Sequence, residues 1–201
     1  MPKVKHTKTE LKAQRDALRR FQRYLPTLQL KKQQLQLEVR QLEAKIQERR
    51  DNEKRWMDNL GSWIKLFAED LDIAQYVHLK EVRTSEGNIA GVSIPVLEGV
   101  DFERKTPDLF ATPSWVDDGI EALQEIIRLR TEIEIMSEQH RRLAEELRTT
   151  TQRVNLFEKV KIPECRDNIR VIRIFLGDEQ TAEVVRGKIA KGRSVEKVRS
   201  S

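Results

Sequence analysis

The sequence predicts an all-α protein: a long antiparallel two-helix coiled coil with a short middle section that is a candidate β-hairpin. Three observations support this. From Leu11 to Phe67, apolar residues recur at alternating steps of three and four and fill thirteen of seventeen positions, the exceptions being Gln14, Lys32, Arg49 and Glu53. That spacing is a heptad seam. A second seam with the same steps runs from Ala122 through Ile126, Leu129, Ile133, Met136, His140, Leu143, Leu147, Thr150 and Val154 to Phe157. Between the two, Gly87, Gly91 and Gly99 stand with Pro95, Pro107 and Pro113 around the β-branched run Val92-Ser93-Ile94-Pro95-Val96. At 1.5 Å per residue the first seam spans about 85 Å, too long to bury within a compact domain, so it requires a partner helix.

Residues 1–74 are assigned to the first long helix, with Thr7 or Thr9 as its N-cap and Glu10 favourably placed in the first turn. Pro26 lies inside it, where the lost hydrogen bond and the ring clash predict a kink near Leu25. Residues 75–113 form the middle section at the closed end, with strands over Tyr76–Val82 and Ile89–Val96 and a loop at Thr84-Ser85-Glu86-Gly87-Asn88; a plain irregular loop is the alternative. Trp56, Trp63 and Trp115 fall in or beside this section and suggest a small aromatic core. The second long helix occupies 114–189, with Ser114 as N-cap and Asp117 and Asp118 in its first turn. Pro163 interrupts its seam, and apolar residues resume at Ile169, Ile172 and Leu176 and at Val171, Phe175, Ala182, Val185 and Ile189, a wider face. Residues 190–201 read as a basic mobile tail. With Asp72 facing Asp118, paired residue numbers sum to 190, which sets Pro26 opposite Glu164 and predicts one shared bend.

Composition narrows the function. Charged residues make up 35% of the chain against about 25% in ordinary domains, an excess that demands a large exposed surface. The single Cys165 and the lack of a secretory apolar segment predict a reducing, cytoplasmic setting, and no apolar run approaches the ~20 residues of a membrane span. Both ends are basic and the middle is acidic: residues 1–60 hold sixteen Lys/Arg against eight Asp/Glu, whereas residues 61–130 hold seven against thirteen.

The residues of catalysis are missing from the pattern. No phosphate-binding Gly-rich loop occurs, and Gly187-Lys188 lacks both the upstream Gly and the following hydroxyl. His6, His78 and His140 are far apart, so no metal site, cofactor site or nucleophile is predicted. His140, Lys32, Arg49 and Glu53 are seam positions, where polar residues set register. Cys165 reads as a small interfacial residue.

Three segments resemble the D subunit family of the V-type (V/A-type) rotary ATPases: His6-Thr7-Lys8-Thr9-Glu10-Leu11, Leu28-Gln29-Leu30-Lys31-Lys32-Gln33-Gln34-Leu35, and Arg153-Val154-Asn155-Leu156-Phe157-Glu158-Lys159-Val160-Lys161-Ile162-Pro163. The last is the most specific, echoing the family's R-V-N-A-L-E-x-x-x-I-P run before a helix with I-x-x-I, here Ile169 to Ile172. Three departures stand out: His6 replaces the family's Pro, the second segment carries Gln29, Gln33 and Gln34 where the family is more charged, and Cys165 to Asn168 is an unusual lead into the last helix. The resemblance implies a non-catalytic rotor shaft. Both termini would insert into a ring of alternating catalytic A and non-catalytic B subunits, and the lower part would bind the small F subunit and a socket subunit on the membrane ring. It also implies a β-hairpin projecting near the base, no cofactor, no nucleic acid and no membrane insertion. Partner contacts are expected from Lys3, Lys5, Lys8, Lys188, Lys191 and Arg193 at the tip and from Trp56 and Trp63 lower down, with the F subunit between Lys45 and Trp63 and on the facing Ile126–Leu143 segment. Two rivals share features: a prefoldin-type holdase, which would expose apolar residues at its tip, and a basic nucleic-acid-binding arm.

Overall fold

The computed structural model describes residues 4–61, 76–106 and 116–199. Helix α1 (Lys8–Gly61) is followed by strands β1 (Val77–Ile89) and β2 (Val92–Arg104), then helix α2 (Val116–Leu156), a π-helical turn (Phe157–Lys161) and helix α3 (Ile162–Arg199). Two long helical stretches with a small antiparallel hairpin between them match the predicted fold class. The expected Ser114 cap, Trp63 and Trp115 lie outside the described residues. Thr7 does cap α1: its Oγ1 accepts the Glu10 backbone N–H at 3.2 Å, and its carbonyl accepts the Leu11 N–H. The helix continues through Pro26 without a break.

The chain divides into two compact units. The first joins residues 1–30 to residues 150–201. Here the N-terminal part of α1 pairs antiparallel with α3: Asn168 bonds Gln14, the Phe157 ring lies 4.9 Å from Phe21, and the Phe175 ring 4.8 Å from His6. Thr150, Val154, Ile162, Cys165, Ile169 and Ile172 are buried in it. These pairs sum to about 180, not the expected 190. Pro26 is therefore level with residues near 154, about nine short of Pro163, and a shared bend at one level is ruled out. The expected sum rested on Asp72 facing Asp118, and Asp72 lies outside the described residues.

The helix runs on through Pro163, and it is the step of the seam that changes just before it. The inward positions step by three or four along Leu143, Leu147, Thr150, Val154 and Phe157, then by five to Ile162, then by three, four and three to Cys165, Ile169 and Ile172. An α-helix cannot keep one face inward across a step of five, but a π turn, with one extra residue, can. The Ile162 N–H bonds the Phe157 carbonyl five residues back, and the turn ends just before Pro163, whose missing donor and ring clash it helps absorb. Farther on, α3 runs through Gly187 and Gly192 to Arg199, so the residues read as a tail from 190 are helical to Arg199. Each glycine costs a helix about 1 kcal/mol, too little to end one rich in Ala, Glu, Lys and Arg.

The second unit holds residues 31–149. The rest of α1 pairs antiparallel with α2 around Leu35, Val39, Leu42 and Leu143, and the hairpin lies along this pair: Ile94, 3% exposed, enters the same cluster, with Ile89, Ala90 and Val92 packed against it. Gln139 donates to the Pro95 carbonyl and Arg142 to the Ser93 carbonyl. At the other end Val77 packs with Val116 and Ile120. The hairpin thus folds back on the helices instead of projecting, because one face of β2 is apolar and needs cover.

Its strands also run on through the expected loop at 84–88; the turn is Ala90-Gly91, with φ of 51° and 79°. Two positive φ values are what a two-residue type I′ hairpin requires, and the Asn88 side chain accepts the Gly91 N–H at 3.0 Å. Ala90 is strained there by ~1–2 kcal/mol, offset by its methyl packing on the core cluster. Register shifts fall at Leu79/Glu81 and Arg83/Thr84. Trp56 is 41% exposed, so it is no part of an aromatic core among the described residues.

Candidate functional site

Open grooves lie along the helix pairs, one lined by Arg15 and Arg170 and one by Glu43 and His140. Seam residues fix the helices first. In the second unit, Lys31 meets Glu146 at 2.6 Å, Arg49 meets Glu132 at 2.9 Å, Glu53 meets Arg130 at 2.7 Å and Glu43 meets His140 at 3.0 Å. The polar interruptions Arg49 and Glu53 are thus answered by opposite charges on the facing helix. His140 bonds a carboxylate across the pair, and among the described residues no group of three His, Cys, Asp or Glu could hold a metal ion. Because these bridges remain partly exposed to solvent, each contributes about 1 kcal/mol or less, and their main effect is to select one register over its neighbours.

On α2, Glu138 accepts hydrogen bonds from both Arg141 and Arg142, which lower its pKa from 4.5 to about 2. Arg142 reaches on to the Ser93 carbonyl of the hairpin. One carboxylate therefore orients the arginine that holds β2. In the first unit, burial and then the neighbouring Glu164 carboxylate raise the Cys165 thiol pKa, which disfavours the reactive thiolate.

The predicted contact residues are distributed unevenly. Lys5 and Lys8 are exposed at the start of α1 and, by the pairing above, are level with residues 172–175. Lys188, Lys191 and Arg193 are exposed on α3 more than a dozen residues farther along, roughly 20 Å at the helical rise. The two groups do not form one cluster. Lys3 and Trp63 lie outside the described residues, and Trp56 is exposed beside Met57, itself 44% exposed, near the end of α1.

The wider apolar face that the sequence offered at Val171, Phe175, Val185 and Ile189 is, with Val184, 45–58% exposed on α3. A groove of about 820 Å³ between α1 and α3 is lined by arginines from both. Their spacing, Arg15 and Arg19 on one helix and Arg166, Arg170 and Arg173 on the other, was present in the sequence, but only the antiparallel register brings them together.

Among the described residues no helix is long and apolar enough to cross a membrane. The chain matches the family model for the D subunit of ATP synthase over residues 10–192. It is 46% identical over 201 residues to the V-type ATP synthase D subunit of Borreliella burgdorferi, covering all of both chains. Against the V-type ATP synthase D subunit of Chlamydia muridarum the identity is 34% over 191 residues, 94% of each chain. With that of Chlamydia pneumoniae it is 32% over 191 residues, 94% of this chain and 91% of the relative. A match spanning nearly the whole chain, on paired antiparallel helices, means that this chain belongs to the ATP synthase D subunit family.

Proposed function

We propose that this chain is the central rotor shaft of a V-type (V/A-type) ATPase, transmitting torque between ATP hydrolysis or synthesis in a ring of A and B subunits and proton or sodium ion transport through the membrane ring. The main support is family membership along nearly its whole length, taken with helix pairs whose facing positions are locked by apolar contacts and ion pairs. A part that passes twist must resist slipping of one helix past the other. Opposite charges at seam positions penalise slippage, since a shifted register leaves Arg49 and Glu53 facing apolar residues.

In this role the chain performs no bond chemistry. It binds the A and B subunits, the small F subunit and a socket subunit, and it sits in the cytoplasm, peripheral to the inner membrane. The exposed apolar residues of α3 would be covered by the ring, and Lys3, Lys5, Lys8, Lys188, Lys191 and Arg193 would tune that bearing through long-range charge. The F subunit would dock between Lys45 and Trp63 and on Ile126–Leu143.

Reconstitution of the complex with and without this chain tests the reading. Omission should uncouple ATP hydrolysis from ion movement, and co-expressed A, B and F subunits should purify with the chain. Exposed apolar residues on α3 also suit a holdase; retention of unfolded client with no co-purifying ring would favour that instead. Neutralising the tip charges should alter coupling or its salt dependence, and unchanged assembly and turnover would leave them a solubilising role only.

A further inference from the structure

In the first unit, Arg15 and Arg19 project from successive turns of α1, and Arg166, Arg170 and Arg173 from successive turns of α3, so that two rows of guanidinium groups flank one groove. Leu18 and Ile169 form an apolar floor between the rows. All five arginines are exposed, and none makes a hydrogen bond or ion pair among the described residues. Arg49, Arg130, Arg141 and Arg142 on the second unit's helices, by contrast, each pair with a carboxylate. No acidic residue lines this groove; Asp16 and Asp167 adjoin its arginines in sequence but are not among its lining residues. Five unneutralised positive charges held along one strip repel each other unless a partner supplies the opposite charge.

We propose that this groove docks an acidic amphipathic helix of a partner protein, its apolar stripe on Leu18 and Ile169 and its Glu or Asp rows on the two arginine rows. The shape favours a helix over a small anion. The site is long and open, its cations are spread over two turns on each side, and it has an apolar floor that a phosphate would leave unused. Arginine suits the role because its planar fork binds carboxylates in pairs, and a helix laid in a groove between two others is a recurrent mode of recognition. The inference relies on the shaft reading only for where the partner comes from; the docking itself is a property of the chain alone.

The test uses the full-length chain and a labelled helical peptide with a leucine stripe flanked by glutamate rows, followed by fluorescence anisotropy. Binding should occur and weaken as salt rises. The double variant Arg19→Glu/Arg170→Glu, both positions exposed on helices, should lose roughly tenfold or more in affinity, since two attractions become repulsions. It should gain affinity for the same peptide with lysine rows, a gain that an unfolded variant could not show. The proposal is overturned if the variant binds the glutamate peptide as well as the unaltered chain does. It is equally overturned if a glutamate peptide without the leucine stripe, or sodium tripolyphosphate, occupies the groove as tightly, because the site would then read charge alone. None of these measurements involves ATP turnover, so coupling in the reconstituted complex can fail while docking succeeds, or the reverse.

Discussion

Replacing Ile94 with Ala should release the hairpin from the helices while leaving the helices paired. Ile94 is 3% exposed and is the one fully buried β2 residue in the cluster with Leu35, Val39, Leu42 and Leu143. Truncating a buried Ile to Ala costs about 2–5 kcal/mol, transfer and cavity together. The two other anchors, Gln139 to the Pro95 carbonyl and Arg142 to the Ser93 carbonyl, add about 1 kcal/mol each. A two-stranded hairpin in water is barely stable by itself, so loss of the Ile94 contact appears as opening of this segment. A penalty of about 3 kcal/mol corresponds to opening roughly a hundredfold more often. Amide hydrogen exchange should therefore accelerate by about that factor over Val92–Leu97 and little in α2. Val96→Ala on the same strand is the control: Val96 is 37% exposed, and its truncation should cost under about 1 kcal/mol. Equal acceleration in both variants, or exchange in α1 and α2 rising in step with the hairpin, would refute the claim that Ile94 holds the hairpin.

Exchanging the charges of one cross-helix pair tests register: Arg49→Glu alone should lower stability by about 1 kcal/mol or less, and adding Glu132→Arg should recover most of it, as read from thermal melts at low salt. Because the folded-state pKa of Glu138 is depressed, its contribution is complete above about 4.5 and is lost as the pH falls towards about 2. Hairpin amides should lose protection across that window, and Glu138→Gln should flatten the response. Deleting Lys159 together with Pro163→Ala should turn the π turn into a regular α turn with a small change in melting temperature. Deletion of Lys159 alone should cost about 3 kcal/mol, because Pro163 would then sit in a regular helix. Deletion of Arg148, in a regular stretch, should be the most damaging, since it rotates the following seam by about 100°.

How much of this was legible follows from what each signal measures. The heptad steps predicted that Leu35, Val39, Leu42, Ile126, Leu129 and Leu143 are buried, and all are. Thr7 was recognisable as a cap because capping is local chemistry. The hairpin turn was misplaced because Thr84 to Asn88 carries the usual turn residues, whereas Ala90 takes a positive φ that its own chemistry disfavours; contact with the helices outweighs the strain. The step of five between Phe157 and Ile162 was in plain view, but Pro163 beside it suggested a break. Partner-binding surfaces were the least legible, because the apolar spacing of Phe175 or Val185 does not say how much of each side chain the helix pair covers.

Taken alone, the order of residues determined the two long helices, their inward faces, a candidate hairpin between them and the family resemblance, because each depends on short spacings or local motifs. Tertiary structure decided the offset between the helices, the docking of the hairpin by Ile94 and the meeting of arginines from opposite ends of the chain. Those depend on how many residues lie between the partners and on which surfaces compete for cover, and a periodic pattern is nearly the same at every offset of one heptad.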